Sequence, residues 1–187
     1  MAFTRLDPKT ALILIDLQKG IVGRASAHPA DVVVKRARAL ADAFRGRGLP
    51  VVLVNVAGGA PGRTEQTPSG APLPEGWADL VPELGQEPGD HLVTKRTWGA
   101  FTGTDLEGFL KGRGVTQVVI AGISTSIGVE STARGAHERG LNVTLIVDAM
   151  TDTNLDAHTN SVTRIFPRLG ETGTTQEILD LLRTQPR

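Results

Sequence analysis

Short apolar runs alternate with segments of helical periodicity along the 187-residue chain. A strand inside a parallel sheet is a nearly continuous apolar run, whereas a surface helix repeats apolar positions every three or four residues. By these rules the sequence predicts six strands, the last of them short and at an edge. Their expected ranges are 11–17, 50–56, 91–94, 117–121, 142–147 and 170–174.

Helical patterns lie between the predicted strands. The clearest begins at the capping residue Asp31, carries one apolar face and stops at Gly46. Pro167 is expected to end the helix that precedes it. The further helices are expected from Thr104 or Asp105 to Lys111, and over about 126–139, 156–165 and 176–183.

The joints between helices and strands indicate the sheet type. Three of them repeat a basic residue beside a glycine, followed by a β-branched strand. Repeated joints of this kind are typical of βα units and a parallel sheet. The sequence therefore predicts one three-layer α/β/α domain over residues 1–187, with about six mostly parallel strands.

Residues 57–90 have a different composition from the rest of the chain. They hold six of the 11 prolines and many glycines, with short turns of helix expected around 77–84. A loop of this length in a compact domain is usually a lid or a binding loop. A surface excursion without a function is the alternative.

Composition narrows the classes of function. Basic and acidic residues number 20 each, and this balance argues against nucleic acid or an anionic membrane as the partner. The chain has no cysteine, so a disulfide framework and a thiolate metal site are excluded. The apolar runs are too short to span a bilayer, and the N-terminal residues lack a secretory pattern. We expect a soluble cytoplasmic protein.

Polar residues follow the predicted strands at their carboxyl ends, which share one edge of a parallel sheet and usually bind ligands. The residues at this edge are Asp16, Asn55, Lys95, Ser124, Thr125 and Asp148. Asp16 is the sharpest signal, because a lone carboxylate in an apolar strand must be paired or have a raised pKa. A structural salt bridge or a helix cap is the less favoured alternative for Asp16.

The stretch 118–136 runs from a strand through small hydroxyl residues into a helix, and it resembles a family motif. Isochorismatase-like hydrolases commonly read G-[VI]-x-T-x-x-C-V-x-x-T-A at this point. Gly128 stands where the family has its catalytic cysteine, and no other thiol is available. The matching residues are Gly122, Ile123, Thr125, Val129, Thr132 and Ala133.

The resemblance implies roles for further residues. Asp16 matches the family's catalytic aspartate and Lys95 its catalytic lysine. A cis peptide is implied at Ser124–Thr125. The residues expected to bind substrate are Gln18, Asn55, Trp98, Phe101, Ser124, Thr125 and Ser126.

The same resemblance bears on metals, cofactors and partners. The Asp-x-His pair of the nicotinamidase branch is replaced here by Asn55-Val56-Ala57, so we predict no metal and no cofactor. His28, His91 and His158 show no ligand spacing, and His137 is expected to favour a helix end. The family implies a homodimer or a larger homo-oligomer that acts on a small molecule.

Loss of the thiol closes the covalent route and leaves three hypotheses. Asp16 could protonate a vinyl ether such as isochorismate, with release of pyruvate. A water held by Asp16 and Lys95 could instead hydrolyse an amide, imine or ester. The third hypothesis is a silent member that only binds a ligand or partner. In both enzymatic hypotheses Gly128 is expected to leave room for a water or a substrate group.

Overall fold

Six parallel strands form the central sheet of the computed structural model, which describes residues 4–25, 27–65 and 72–184. The spatial order is β3-β2-β1-β4-β5-β6, and every adjacent pair is parallel. This order confirms the predicted α/β/α class. The strands are β1 (Thr10–Ile15), β2 (Val51–Val56), β3 (His91–Lys95), β4 (Gln117–Ile123), β5 (Asn142–Thr151) and β6 (Glu171–Gly173).

Helices cover both faces of the sheet. They are α1 (Lys19–Val22), α2 (Ala30–Gly46), α3 (Leu106–Gly112), α4 (Glu130–Glu138), α5 (Leu155–Asn160), α6 (Phe166–Leu169) and α7 (Thr175–Thr184). A 3-10 turn at Pro82–Leu84 and π-helical turns at Thr125–Val129 and Ser161–Ile165 complete the elements. No helix among the described residues is both long and apolar enough to cross a membrane.

The alternation of side chains along β1 divides the core between the two helical layers. Leu12 and Leu14 pack with α2 and α7, whereas Ile13 and Ile15 pack with α3 and α4. All six residues of β1 are buried, as expected of a central strand with helices on both faces. The functional edge is therefore supported from both sides.

β5 extends four residues past the predicted end at Val147. Its pairing with β4 shifts register between Ile120 and Gly122, and pairing then resumes as far as Ile123 and Thr151. Asp148 interrupts the apolar run on which the predicted boundary rested. The strand continues because the irregularity absorbs the interruption.

The prediction that Pro167 ends its helix is wrong. α5 ends at Asn160, and the chain stays helical through the π-helical turn at 161–165 and through α6. Pro167 lies in the first turn of α6, directly after the π-helical turn at 161–165. The short helix α1 is also absent from the prediction, because four residues are too few to show a helical period.

The chain between β2 and β3 packs against α1 where it is described. Trp77 covers Gly20 so closely that a Cβ on that glycine would lie 2.1 Å from the indole nitrogen. Gln18 and Leu80 form an isolated antiparallel bridge. The 3-10 turn at 82–84 confirms the expected helical turns, and the part of the predicted loop at 66–71 lies outside the described residues.

Candidate active site

Asp16 and Lys95 meet at the carboxyl edge of the sheet. Asp16 follows β1 with a φ of 51°, an uncommon conformation for a residue other than glycine. Lys95 ends β3, two strands away, and its Nζ donates to Asp16 Oδ2 at 2.7 Å. Asp16 is only 5% exposed and Lys95 only 1% exposed. The sequence prediction that strand ends would bring these two residues together agrees with this geometry.

Two opposed effects act on the Asp16 carboxyl. Burial raises its pKa from 3.8 to about 6, and the charge and hydrogen bond of Lys95 oppose the rise without cancelling it. Oδ1 is buried and has no hydrogen-bond partner among the described residues. Because Lys95 occupies Oδ2, Oδ1 is the oxygen that can carry the proton. At pH 7 roughly a tenth of such carboxyls are protonated.

Gly128 lies directly against this pair. A Cβ placed on it would be 2.9 Å from Ile15 Cγ2 and 3.0 Å from Asp16 Oδ2. Contacts this short require a neighbour to move. The room expected at Gly128 for a water or substrate group is therefore absent along the Cβ direction. The isoleucine methyl and the carboxylate already fill it.

The turn that carries Gly128 is tied to the end of β5. The backbone N–H and the hydroxyl of Ser126 donate to Asp152 Oδ2 at 2.7 and 2.8 Å. Thr125 is fully buried, and its hydroxyl bonds Thr151 O and His158 Nδ1. The predicted substrate contacts of Thr125 and Ser126 are thus occupied by the protein itself.

The backbone of this turn carries a cis peptide one residue earlier than the resemblance implies. It joins Ile123 to Ser124 rather than Ser124 to Thr125. The Ser124 carbonyl accepts from the N–H groups of Ile127 and Val129. Ser124 is half-buried.

Gln18 and Asn55 anchor the chain that follows β2. Gln18 is fully buried, donates to the carbonyls of Val56 and Trp77, and accepts from Val56 N. Asn55 donates to Ala78 O at 2.8 Å. These amides were expected to bind substrate, and here their hydrogen bonds fix the backbone around the site.

The remaining predicted residues have surroundings of three different kinds. Trp98 is 64% exposed. Phe101 packs in the core, and the guanidinium of Arg139 lies 4.7 Å from its ring centroid. Asp148 binds Arg36 and the first turn of α7 rather than the functional edge. Asp148 is therefore a structural carboxylate.

Three residues near the site escaped sequence reasoning. Asp152 follows the part of β5 that the prediction cut off. His28 and His158 are 130 residues apart in sequence, yet their Nε2 atoms lie 3.3 Å apart. The only sequence signal for these residues was that Asp152 is a polar residue directly after the true end of β5. Among residues 4–25, 27–65 and 72–184 no group of three or more acidic, cysteine or histidine side chains could hold a metal; the absence of a metal stays a prediction.

The fold is a parallel α/β sheet with a buried carboxyl–ammonium pair at its carboxyl edge. The Isochorismatase domain model matches residues 10–177. The chain belongs to the isochorismatase family, whose members are hydrolases.

Known relatives agree with this assignment. The uncharacterized isochorismatase family protein YwoC of Bacillus subtilis is 44% identical over 182 residues, covering 94% of this chain and 95% of its own. A solved isochorismatase family protein from Burkholderia thailandensis has a TM-score of 0.91 at 43% identity, covering 96% of this chain and 98% of its own. A ureidoacrylate amidohydrolase, RutB of Methylobacterium radiotolerans, is 33% identical over 176 residues, covering 77% of this chain and 68% of its own.

Proposed function

We propose that this protein hydrolyses a small molecule by acid–base chemistry without a covalent intermediate. The observation that carries the proposal is the buried Asp16–Lys95 pair, in which Lys95 Nζ lies 2.7 Å from Oδ2 and Oδ1 has no hydrogen-bond partner in the described part of the chain. A carboxyl with a pKa of about 6 can donate or accept a proton near neutral pH. The absence of any thiol leaves water as the nucleophile.

The favoured substrate is a vinyl ether of the enolpyruvyl type, such as isochorismate. Asp16 Oδ1–H gives its proton to the terminal methylene carbon, and the alkene electron pair forms the new C–H bond. Water adds to the resulting oxocarbenium carbon and returns a proton to the carboxylate. The hemiketal then collapses, which breaks the C–O bond and releases pyruvate and the alcohol.

Lys95 has a defined task in this sequence. Its ammonium stays on Oδ2 while Oδ1 loses the proton, so it stabilises the carboxylate that the transfer creates. The same contact limits how far burial raises the Asp16 pKa. The pair thus gives Asp16 a pKa at which part of its carboxyl is protonated near neutral pH and can still donate the proton.

Hydrolysis of an amide or ureide is the second candidate. The relatedness to a ureidoacrylate amidohydrolase favours it. In this route the Asp16 carboxylate takes a proton from the attacking water, so the ionised form is the active one. A silent ligand-binding member remains as the third outcome.

Pyruvate release from isochorismate tests the proposal. We expect release by the wild type and none by Asp16→Asn, whereas the matched exposed variant Asp31→Asn keeps full activity. The acid route predicts that kcat/KM falls as pH rises through about 6, because the protonated carboxyl is then lost.

Two other outcomes would each favour one of the other candidate functions. Turnover of ureides that rises with pH through the same range would replace the vinyl ether with the amide route. Inactivity on both substrate classes would contradict hydrolysis and leave ligand binding.

The proposal includes a cytoplasmic homodimer or larger oligomer. A partner copy would cover some of the large apolar side chains that are exposed among the described residues, which are Leu73, Leu92, Trp98, Ile127 and Leu155. Light scattering after gel filtration measures the assembly, and cell fractionation measures the location.

A further inference from the structure

A chain of hydrogen bonds reaches the functional turn from the side opposite Asp16. We call it the histidine relay, and its members are His28, His158, Thr125 and Thr151. His158 Nδ1 lies 2.8 Å from Thr125 Oγ1, and His158 Nε2 lies 3.3 Å from His28 Nε2. The Thr151 hydroxyl accepts from the backbone N–H of His28 and donates to the His28 carbonyl. The relay joins the segment before α2, the end of β5 and α5 to the turn.

The direction of each bond follows from the number of hydrogens. The Thr125 hydroxyl has one hydrogen, and the Thr151 carbonyl at 3.1 Å can only accept it. The hydroxyl must therefore accept from His158, which places a hydrogen on Nδ1. Neutral His158 then has a lone pair on Nε2 and accepts from His28 Nε2–H.

The surroundings of His158 favour this neutral form. Burial lowers the pKa of His158, and the neighbouring His28 lowers it further, while Asp152 opposes both effects. Asp152 is already occupied by Ser126, Thr153 and Asn154. While His28 keeps its hydrogen on Nε2, a proton on His158 Nε2 would place two N–H groups against each other and would break this bond of the relay.

The relay acts on the catalytic pair through Gly128. Thr125 and Gly128 share one π-helical turn, and Gly128 is packed against Ile15 and Asp16 Oδ2. If Thr125 is released, the turn can withdraw and water can reach the carboxyl. Burial is the largest cause of the raised pKa of Asp16. A measurement of this pKa therefore shows whether the turn packs against Asp16.

We propose that His158 is a positioning residue, whose neutral Nδ1–H tautomer seats the turn at 125–129 against Asp16, and the activity readout of this idea rests on the proposed function. His28 fixes the tautomer by donating to Nε2. Neither histidine touches the substrate in this scheme.

Two matched pairs of variants test the proposal. Thr125→Val removes only the hydroxyl, whereas Thr125→Ser keeps it. His158→Leu removes the donor, whereas His158→Asn keeps an N–H near the position of Nδ1. His137→Asn, at the far end of α4, is the remote control.

The decisive readouts need no substrate. We expect Thr125→Val and His158→Leu to lower the Asp16 pKa from about 6 towards 3.8 in a carbon-13 NMR titration. The amides of Ser126, Ile127 and Val129 should exchange faster in the same variants. Thr125→Ser and His158→Asn should restore both readouts, and His137→Asn should change neither. Nitrogen-15 shifts of wild-type His158 should show hydrogen on Nδ1.

Activity gives an independent readout. For a substrate that the wild type turns over, kcat should fall about ten- to hundredfold in Thr125→Val, with KM little changed, because misplacement of catalytic groups costs rate. Without a substrate the NMR readouts still decide. The proposal is overturned if folded Thr125→Val keeps the wild-type Asp16 pKa and amide exchange, or if Thr125→Ser behaves like Thr125→Val. The threonine pair decides even where His158→Leu does not fold.

Discussion

The position of Gly128 shows how little space separates the turn at 125–129 from the Asp16–Lys95 pair. A Cβ on Gly128 would lie 2.9 Å from Ile15 Cγ2 and 3.0 Å from Asp16 Oδ2. A side chain there must displace a methyl group or a buried carboxylate. Gly128 is therefore part of the packing around Asp16.

Gly128→Ala should destabilise the protein by about 1–3 kcal/mol, because the added methyl overpacks the site. Gly108, inside α3, is the matched control, since a Cβ there meets nothing within 4 Å. Gly108→Ala should stabilise by about 0.5–1 kcal/mol. Urea unfolding of both variants measures the difference. Equal effects at the two glycines would contradict the packing argument.

At the residue scale the sequence predicts that Asp16 and Lys95 lie together, but it does not predict the partners of the hydroxyl residues. A carboxylate in a buried strand has few explanations, and parallel strand ends share one edge. Thr125 and Ser126 look like ligand contacts by type alone. Their partners, His158 and Asp152, come from segments that only the folded chain brings near.

At the element scale, α1 and the chain after β2 depend on each other. The indole of Trp77 occupies the space next to Gly20, and the N–H of Gly20 donates to the Trp77 carbonyl. Gln18 binds the same carbonyl. The segment around Trp77 is therefore docked on the end of β1.

Gly20→Ala should displace Trp77, because the new Cβ would overlap the indole ring. We expect a loss of about 1–3 kcal/mol in the free energy of unfolding and a red shift of the Trp77 fluorescence. The measurement uses a Trp98→Phe background, since the chain has two tryptophans. Gly23→Ala is the control, because Gly23 has nothing within 4 Å. An unshifted spectrum in Gly20→Ala would show that the contact is absent in solution.

Strands were more predictable than the elements between them. A buried parallel strand needs apolar residues at every position, so β1, β2 and β4 stand out in sequence. The end of β5 does not, because pairing resumes beyond Asp148 after an irregularity. The π-helical turns are equally hidden, since their residues follow ordinary helical patterns.

At the scale of the whole molecule, Asp16 makes stability depend on pH. Its native pKa of about 6 exceeds 3.8, so the native state holds this proton over a pH range in which the unfolded chain has lost it. The contribution is full below about pH 3.8 and is lost as pH rises through about 6. A difference of about 2 in pKa corresponds to about 3 kcal/mol.

The free energy of unfolding of the wild type, measured relative to Asp16→Asn, should therefore fall by about 2 kcal/mol between pH 4 and 7. Effects of the histidines cancel in this comparison. Glu107→Gln provides a control of opposite sign, because hydrogen bonds from Lys111 and Arg139 lower the Glu107 pKa. Denaturant unfolding across the pH range measures both. A difference that grows with pH for Asp16 would contradict the raised pKa.

The strand order also divides the sheet into two halves, each formed by one continuous part of the sequence. The strands β1, β2 and β3 all precede residue 96, the strands β4, β5 and β6 all follow residue 116, and the β1–β4 ladder is the only strand pairing between these halves in the described sheet. Asp16 and Lys95 belong to the first half, and Gly128 and His158 belong to the second. Each half alone holds only part of the candidate site, so two separately produced fragments would have to reassociate before the site is complete.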